Sequence, residues 1–181
     1  MAAARRKLVF TSLGEVMPEV ERLLAGHTTV GRWSLAQILN HLALTMRLPL
    51  DGVPAKFRWP VRRLFGPVVR RLSFWLGWIP AGVQVPEIYL PPLGLDAGHE
   101  AEALRLSIGR FGASAAPLDE HPLLGRMTLV EWERFHCLHC AHHLSFVVPA
   151  AREDVLERRD VKTVGHSSTT TMPPPYRRDC V

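Results

Sequence analysis

Residues 128–147, TLVEWERFHCLHCAHHLSFV, constrain the fold more than any other stretch. Their apolar residues recur at helical spacing. On a wheel of about 100° per residue, Trp132, Phe135, His143 and Phe146 fall within about 40° of His139. His136 lies at one edge of this stripe and His142 at the other. Glu133, Arg134 and Cys137 are expected on the far, polar face. Thr128 and Glu131 have the spacing of a capping box, which sets the start of the helix. A helix whose core-facing stripe carries imidazoles needs neighbours that supply both apolar cover and polar partners.

Those neighbours are predicted from the same periodicity. SLGEVMPEVERLL starts a helix at Ser12, with Glu15 three places on as in a capping box, and Gly26 ends it. Pro18 fits only if that helix begins near Glu15 or kinks. WSLAQILNHLALTMRLPLDG predicts a second helix from Ser34 to Leu48, stopped by Pro49 and Gly52. DAGHEAEALRLSIGRFGAS predicts a third over Gly98 to Phe111. Strand signals are weak throughout. The expected fold is all-α: an antiparallel four-helix bundle with a long, Pro-rich, basic insertion at 53–97 between helices 2 and 3. One domain over 1–159 and a disordered tail at 160–181 complete the expectation, since the polar end segment cannot bury enough apolar surface to offset its ordering entropy.

His139 and His143 stand four apart, so both rings point the same way about one turn from each other. That spacing lets two imidazoles share one divalent cation, although two core histidines bonded to the backbone would look the same. ILNHLAL adds His41, which sits between apolar neighbours on its own helix and points into the bundle. Facing helices of a bundle commonly build metal sites in this way. Zinc, nickel and iron all suit a histidine-only site. A cysteine site is disfavoured: Cys137 falls on the polar side, and CxxC zinc sites use turns and need two more ligands.

The cysteine count of three argues against a disulfide framework and for a reducing, cytoplasmic setting. The basic start MAAARRKLVF has no apolar run behind it, so a secretory leader is not expected. The net charge of +5 is modest and no nucleic-acid reading motif appears, so nucleic acid is not an expected partner.

WSLAQILNHLAL, followed about a hundred residues later by HPLLGRMTLVEWERFHCLHCAHHL, resembles the DinB-like (YfiT-type) metal-binding four-helix bundles. More narrowly it resembles an uncharacterised bacterial branch, a domain of unknown function with an HP-x-x-G turn, a Trp and an H-x-x-H-H-L helix. The resemblance covers roughly residues 6–147. It implies a divalent metal on His41, His139 and His143. It also implies a metal-dependent enzyme, in some members a transferase acting with a low-molecular-weight thiol.

His136, His142 and His121 are the candidates to support the ligands or carry protons. His121, which precedes Pro122, is expected mainly to hold the turn into the last helix. Asp119 and Glu120 lie in the same loop, and no general base stands out. The alternative is a non-catalytic bundle that meets a membrane surface or a protein partner through the basic aromatic stretch RWPVRRLFGPVVRRLSFWLGW. A homodimer fits either reading.

Overall fold

The structure is a computed structural model that describes residues 4–52, 59–77, 79, 87–115 and 118–150. Among the described residues five α-helices run in chain order: α1 (Val16–Ala25), α2 (Leu35–Asp51), α3 (Trp59–Leu76), α4 (Ala97–Gly112) and α5 (Leu129–Leu144). One small antiparallel sheet pairs β1 (His27–Thr29) with β2 (Val147–Pro149) in the register His27 to Pro149. The chain is mostly helical, as its periodicity predicts. The expected 160–181 tail and much of the stretch between 78 and 86 lie outside the described residues.

α2 is the central helix. It packs along α4 and against α5, while α1 packs on α4 and on β2. The shared core includes Leu39, Leu42 and Met46 of α2, Leu104 and Phe111 of α4, and Trp132 and Leu144 of α5. Ser34 caps α2 in a reciprocal box with Gln37, and Thr128 caps α5 with Glu131. Both boxes satisfy N–H groups that a helix start leaves free.

Several boundaries differ from expectation, each for a local reason. Ser12 makes no side-chain cap; Glu15 instead accepts bonds from the Thr11 amide and hydroxyl, and a 3-10 turn at Leu13–Glu15 precedes α1. Pro18 thus falls in the first turn of α1, where its missing N–H costs nothing. Pro49 does not stop α2. The helix runs to Asp51 and ends at Gly52, whose φ of 94° suits only glycine without strain. The short sheet is absent from the sequence reading, because three-residue strands carry too little alternation to be seen. It ties the end of α1 to the end of α5, with Ala150 N donating to Gly26 O at 2.8 Å.

The basic stretch forms one helix of 18 residues, α3. Pro67 lies inside it. α3 approaches the loop before α5 so closely that a Cβ on Gly66 would sit 2.7 Å from the Leu123 carbonyl oxygen.

Candidate metal centre

The histidines of α5 are not confined to one stripe. From His136 onward the helix is buried almost all round, with Cys137, Cys140, His142 and His143 all buried. The expectation that Cys137 lies on a solvated polar face is therefore wrong. The N-terminal arm covers that side: Arg5 donates to Ser145 Oγ at 2.7 Å, Arg6 donates to Val147 O at 2.7 Å, and the 3-10 turn packs on α5. Burial pushes the Cys137 thiol up to about 11 and that of Cys140 higher still. Neither is a thiolate near neutrality, the state a metal ligand requires.

His41, His139 and His143 converge. One ligand nitrogen from each lies within 4.8 Å of the others. Nε2 of His139 stands 3.3 Å from Nε2 of His41 and 3.0 Å from Nε2 of His143. Imidazole nitrogens sharing one zinc at about 2.0–2.1 Å stand roughly 3.3 Å apart at tetrahedral angles. The spacing therefore fits a cation without moving a helix. Among the described residues no carboxylate or thiol joins the cluster.

The hydrogen bonds around the rings test that fit. His41 Nδ1 lies 2.9 Å from the Tyr89 carbonyl, which can only accept, so Nδ1 carries the proton and Nε2 presents a lone pair. Thr45 donates its hydroxyl to the carbonyl oxygens of His41 and Leu42, at 2.9 and 3.1 Å. Its oxygen remains free to accept from His139 Nδ1 at 3.4 Å, which aims a second Nε2 lone pair at the first. These tautomers follow from the network. Two buried lone pairs facing each other are costly unless a cation or proton lies between them. Burial pushes His41 down to about 4 and pushes His139 and His143 well below the ordinary imidazole value, and those two are disfavoured also by neighbouring histidines. All three are neutral near pH 7, the form that binds metal.

Aromatic rings wall the cluster. Trp33 stacks on His143 at 5.5 Å, and Phe135 stacks on His139 at 5.3 Å. His139 alone of the three keeps intermediate solvent exposure.

Among the described residues, the three supporting candidates make no hydrogen bond to His41, His139 or His143. His121 Nδ1 accepts the amides of Leu123 and Leu124, at 3.1 and 2.9 Å, and so holds the turn before α5 as expected. His136 stacks on Trp132 at 5.3 Å, and burial pushes it down to about 3. Its Nε2, Trp132 Nε1 and His143 Nδ1 are buried without a partner among the described residues. His142 faces Arg5, whose NH2 lies 3.3 Å from Nδ1. The groups that do orient the clustered rings are Thr45 and the Tyr89 carbonyl. Thr45 was legible, standing four residues after His41 on the same face. Tyr89 sits in a short 3-10 turn within the Pro-rich stretch, where no pattern points to His41. Asp119 is tied to the end of α2 through its amide and Pro49 O at 2.9 Å, and Glu120 lies 3.7 Å from Arg126.

Fold and site together define a mostly helical protein with a buried trihistidine cluster of metal-binding geometry. The chain belongs to the DUF1569 family, described as a protein of unknown function, whose family model matches residues 2–150. Neither the curated proteins nor the solved structures offer a match to it.

Proposed function

We propose that this chain is a divalent-metal protein of the DinB-like four-helix-bundle type, with α1, α2, α4 and α5 as the bundle and His41, His139 and His143 as ligands. The observation that carries the reading is the convergence of three neutral Nε2 atoms at 3.0 and 3.3 Å. Three imidazoles bring no charge, so a bound zinc, nickel or iron ion stays electrophilic and lowers the pKa of a thiol or water brought to it. That chemistry supports a metal-dependent enzyme, and within it a transferase using a low-molecular-weight thiol. The chain's own residues set the conditions. The Tyr89 carbonyl and Thr45 hold two rings in their ligand tautomers, and Trp33 and Phe135 exclude water from two sides. With no carboxylate in the cluster, proton transfer falls to the thiol or solvent.

Metal content by mass spectrometry on tag-free protein is the test. Wild type should hold one equivalent per chain, and His41→Ala and His143→Ala should hold only background. The metal should also raise stability by about 2.7 kcal/mol at a free concentration a hundred times Kd. No metal in wild type after reconstitution with zinc, nickel and iron overturns the reading and makes these histidines core residues.

A further inference from the structure

α3 is sorted the wrong way round for a helix that serves only the core. Its inward side carries Gly66 and Ser73, both buried, with Gly66 against the Leu123–Leu124 backbone and Val69 and Phe74 half-buried against the core. Its outward side carries Leu64, Phe65, Val68, Leu72, Trp75 and Leu76, which are 67%, 60%, 63%, 50%, 81% and 40% exposed. At about 100° per residue these six occupy one arc of roughly 120°. A contiguous apolar face of this kind on a protein surface marks an interaction site.

The charge on the helix says which kind. WPVRRLFGPVVRRLSFWL contains four arginines and no acidic residue. Arg71 is exposed and borders the apolar arc about 20° from Leu64, whereas Arg63 lies on the side of Arg70. Arg70 turns the other way, towards Glu131 at 3.5 Å, and helps fasten α3 to α5. A second fastening comes from Arg134, which donates to the Phe74 carbonyl and lies over the Phe74 ring at 5.0 Å. The helix is thus clamped by its inner side with its apolar face outward. In a two-fold dimer of this face, the helix would offer Arg71 no acidic residue to pair with. No helix among the described residues is long and apolar enough to cross a membrane.

We propose that the outward face of α3 lies in the interface of an anionic lipid surface, with Leu64, Val68, Leu72 and Trp75 in the acyl boundary. Arg71 reaches the headgroups along its aliphatic stem. The proposal is independent of the metal.

The test is co-sedimentation of the full chain with vesicles of phosphatidylcholine alone and of phosphatidylcholine mixed with phosphatidylglycerol. Binding to the anionic vesicles only, weakened by salt, is expected. Leu72→Glu/Trp75→Glu should weaken it at least about tenfold while leaving circular dichroism and metal content unchanged. Arg71→Glu should remove the preference for anionic lipid with the apolar face intact. No binding to anionic vesicles overturns the proposal, and so does binding that Leu72→Glu/Trp75→Glu leaves intact. A dimer in solution that the same substitutions dissolve, with no vesicle binding, also overturns it and assigns the face to a second copy.

Discussion

The buried half of α5 holds imidazoles where a core helix ordinarily holds leucine, whereas the outward face of α3 holds leucine and tryptophan where a surface helix ordinarily holds charge. Each inversion has a cost. Buried imidazoles must be desolvated and kept neutral. Exposed apolar rings forgo the transfer energy that burial would supply. The difference lies in what surrounds each. The histidines of α5 are enclosed by α2, α4 and the N-terminal arm, so their chemistry is set by the fold. The apolar face of α3 is left open by the fold, so its chemistry is set by what arrives from outside.

The largest expected effect breaks the enclosed side by pH. Burial pushes both His121 and His136 from the ordinary imidazole value down to about 3. The unfolded chain takes up protons at these two sites below about pH 6.5, and the folded chain does not until about pH 3. Their neutral burial therefore leaves stability intact above pH 6.5 and erodes it as pH falls towards 3. The loss is on the order of 1.4 kcal/mol per pH unit for each group. Urea midpoints on chelated protein between pH 7 and about pH 4 should show a slope of at least two protons. His136→Leu should remove one proton from that slope. An unchanged slope would mean that His136 already carries its charge in the folded protein.

How much of this was legible follows the same division. The enclosed side was readable because α2, α4 and α5 are periodic and because Thr128 with Glu131 marks the start of α5. His41, His139 and His143 fall on core faces by spacing alone, and the structure brings all three together. What spacing could not give was cover from distant sequence. Cys137 is buried because Arg5, Arg6 and Leu13–Glu15 return over α5, more than a hundred residues away in the chain. The Tyr89 carbonyl reaches His41 for the same kind of reason. On α3 the sequence shows an amphipathic helix but not its orientation. The contact of Gly66 with Leu123 and Leu124, together with the Arg70–Glu131 and Arg134–Phe74 pairs, decides which face turns inward.

A medium effect tests that orientation. Gly66→Ala on a freely exposed helix would stabilise by up to about 1 kcal/mol. Here the added methyl would meet the Leu123 carbonyl, a backbone atom that cannot rotate away. The variant should instead lose about 1–3 kcal/mol in urea denaturation, as overpacked sites do. A gain in stability would show that α3 is not seated on the 123–124 backbone, and the apolar face would lose its fixed outward direction.

The smallest effect sharpens the comparison most. Leu72 and Leu42 are the same residue on two helices, one 50% exposed and the other 1%. Leu42→Ala in the core should cost about 2–5 kcal/mol, through lost transfer energy and a cavity. Leu72→Gln should change the stability of the lipid-free protein by no more than about 0.5 kcal/mol, because the folded chain buries little of that side chain. A near-zero change in denaturation, paired with a large change in vesicle binding, separates residues that hold the fold from residues that serve a surface. A cost near that of Leu42 would mean that something within the chain already covers Leu72, and the outward face of α3 would then belong to the core.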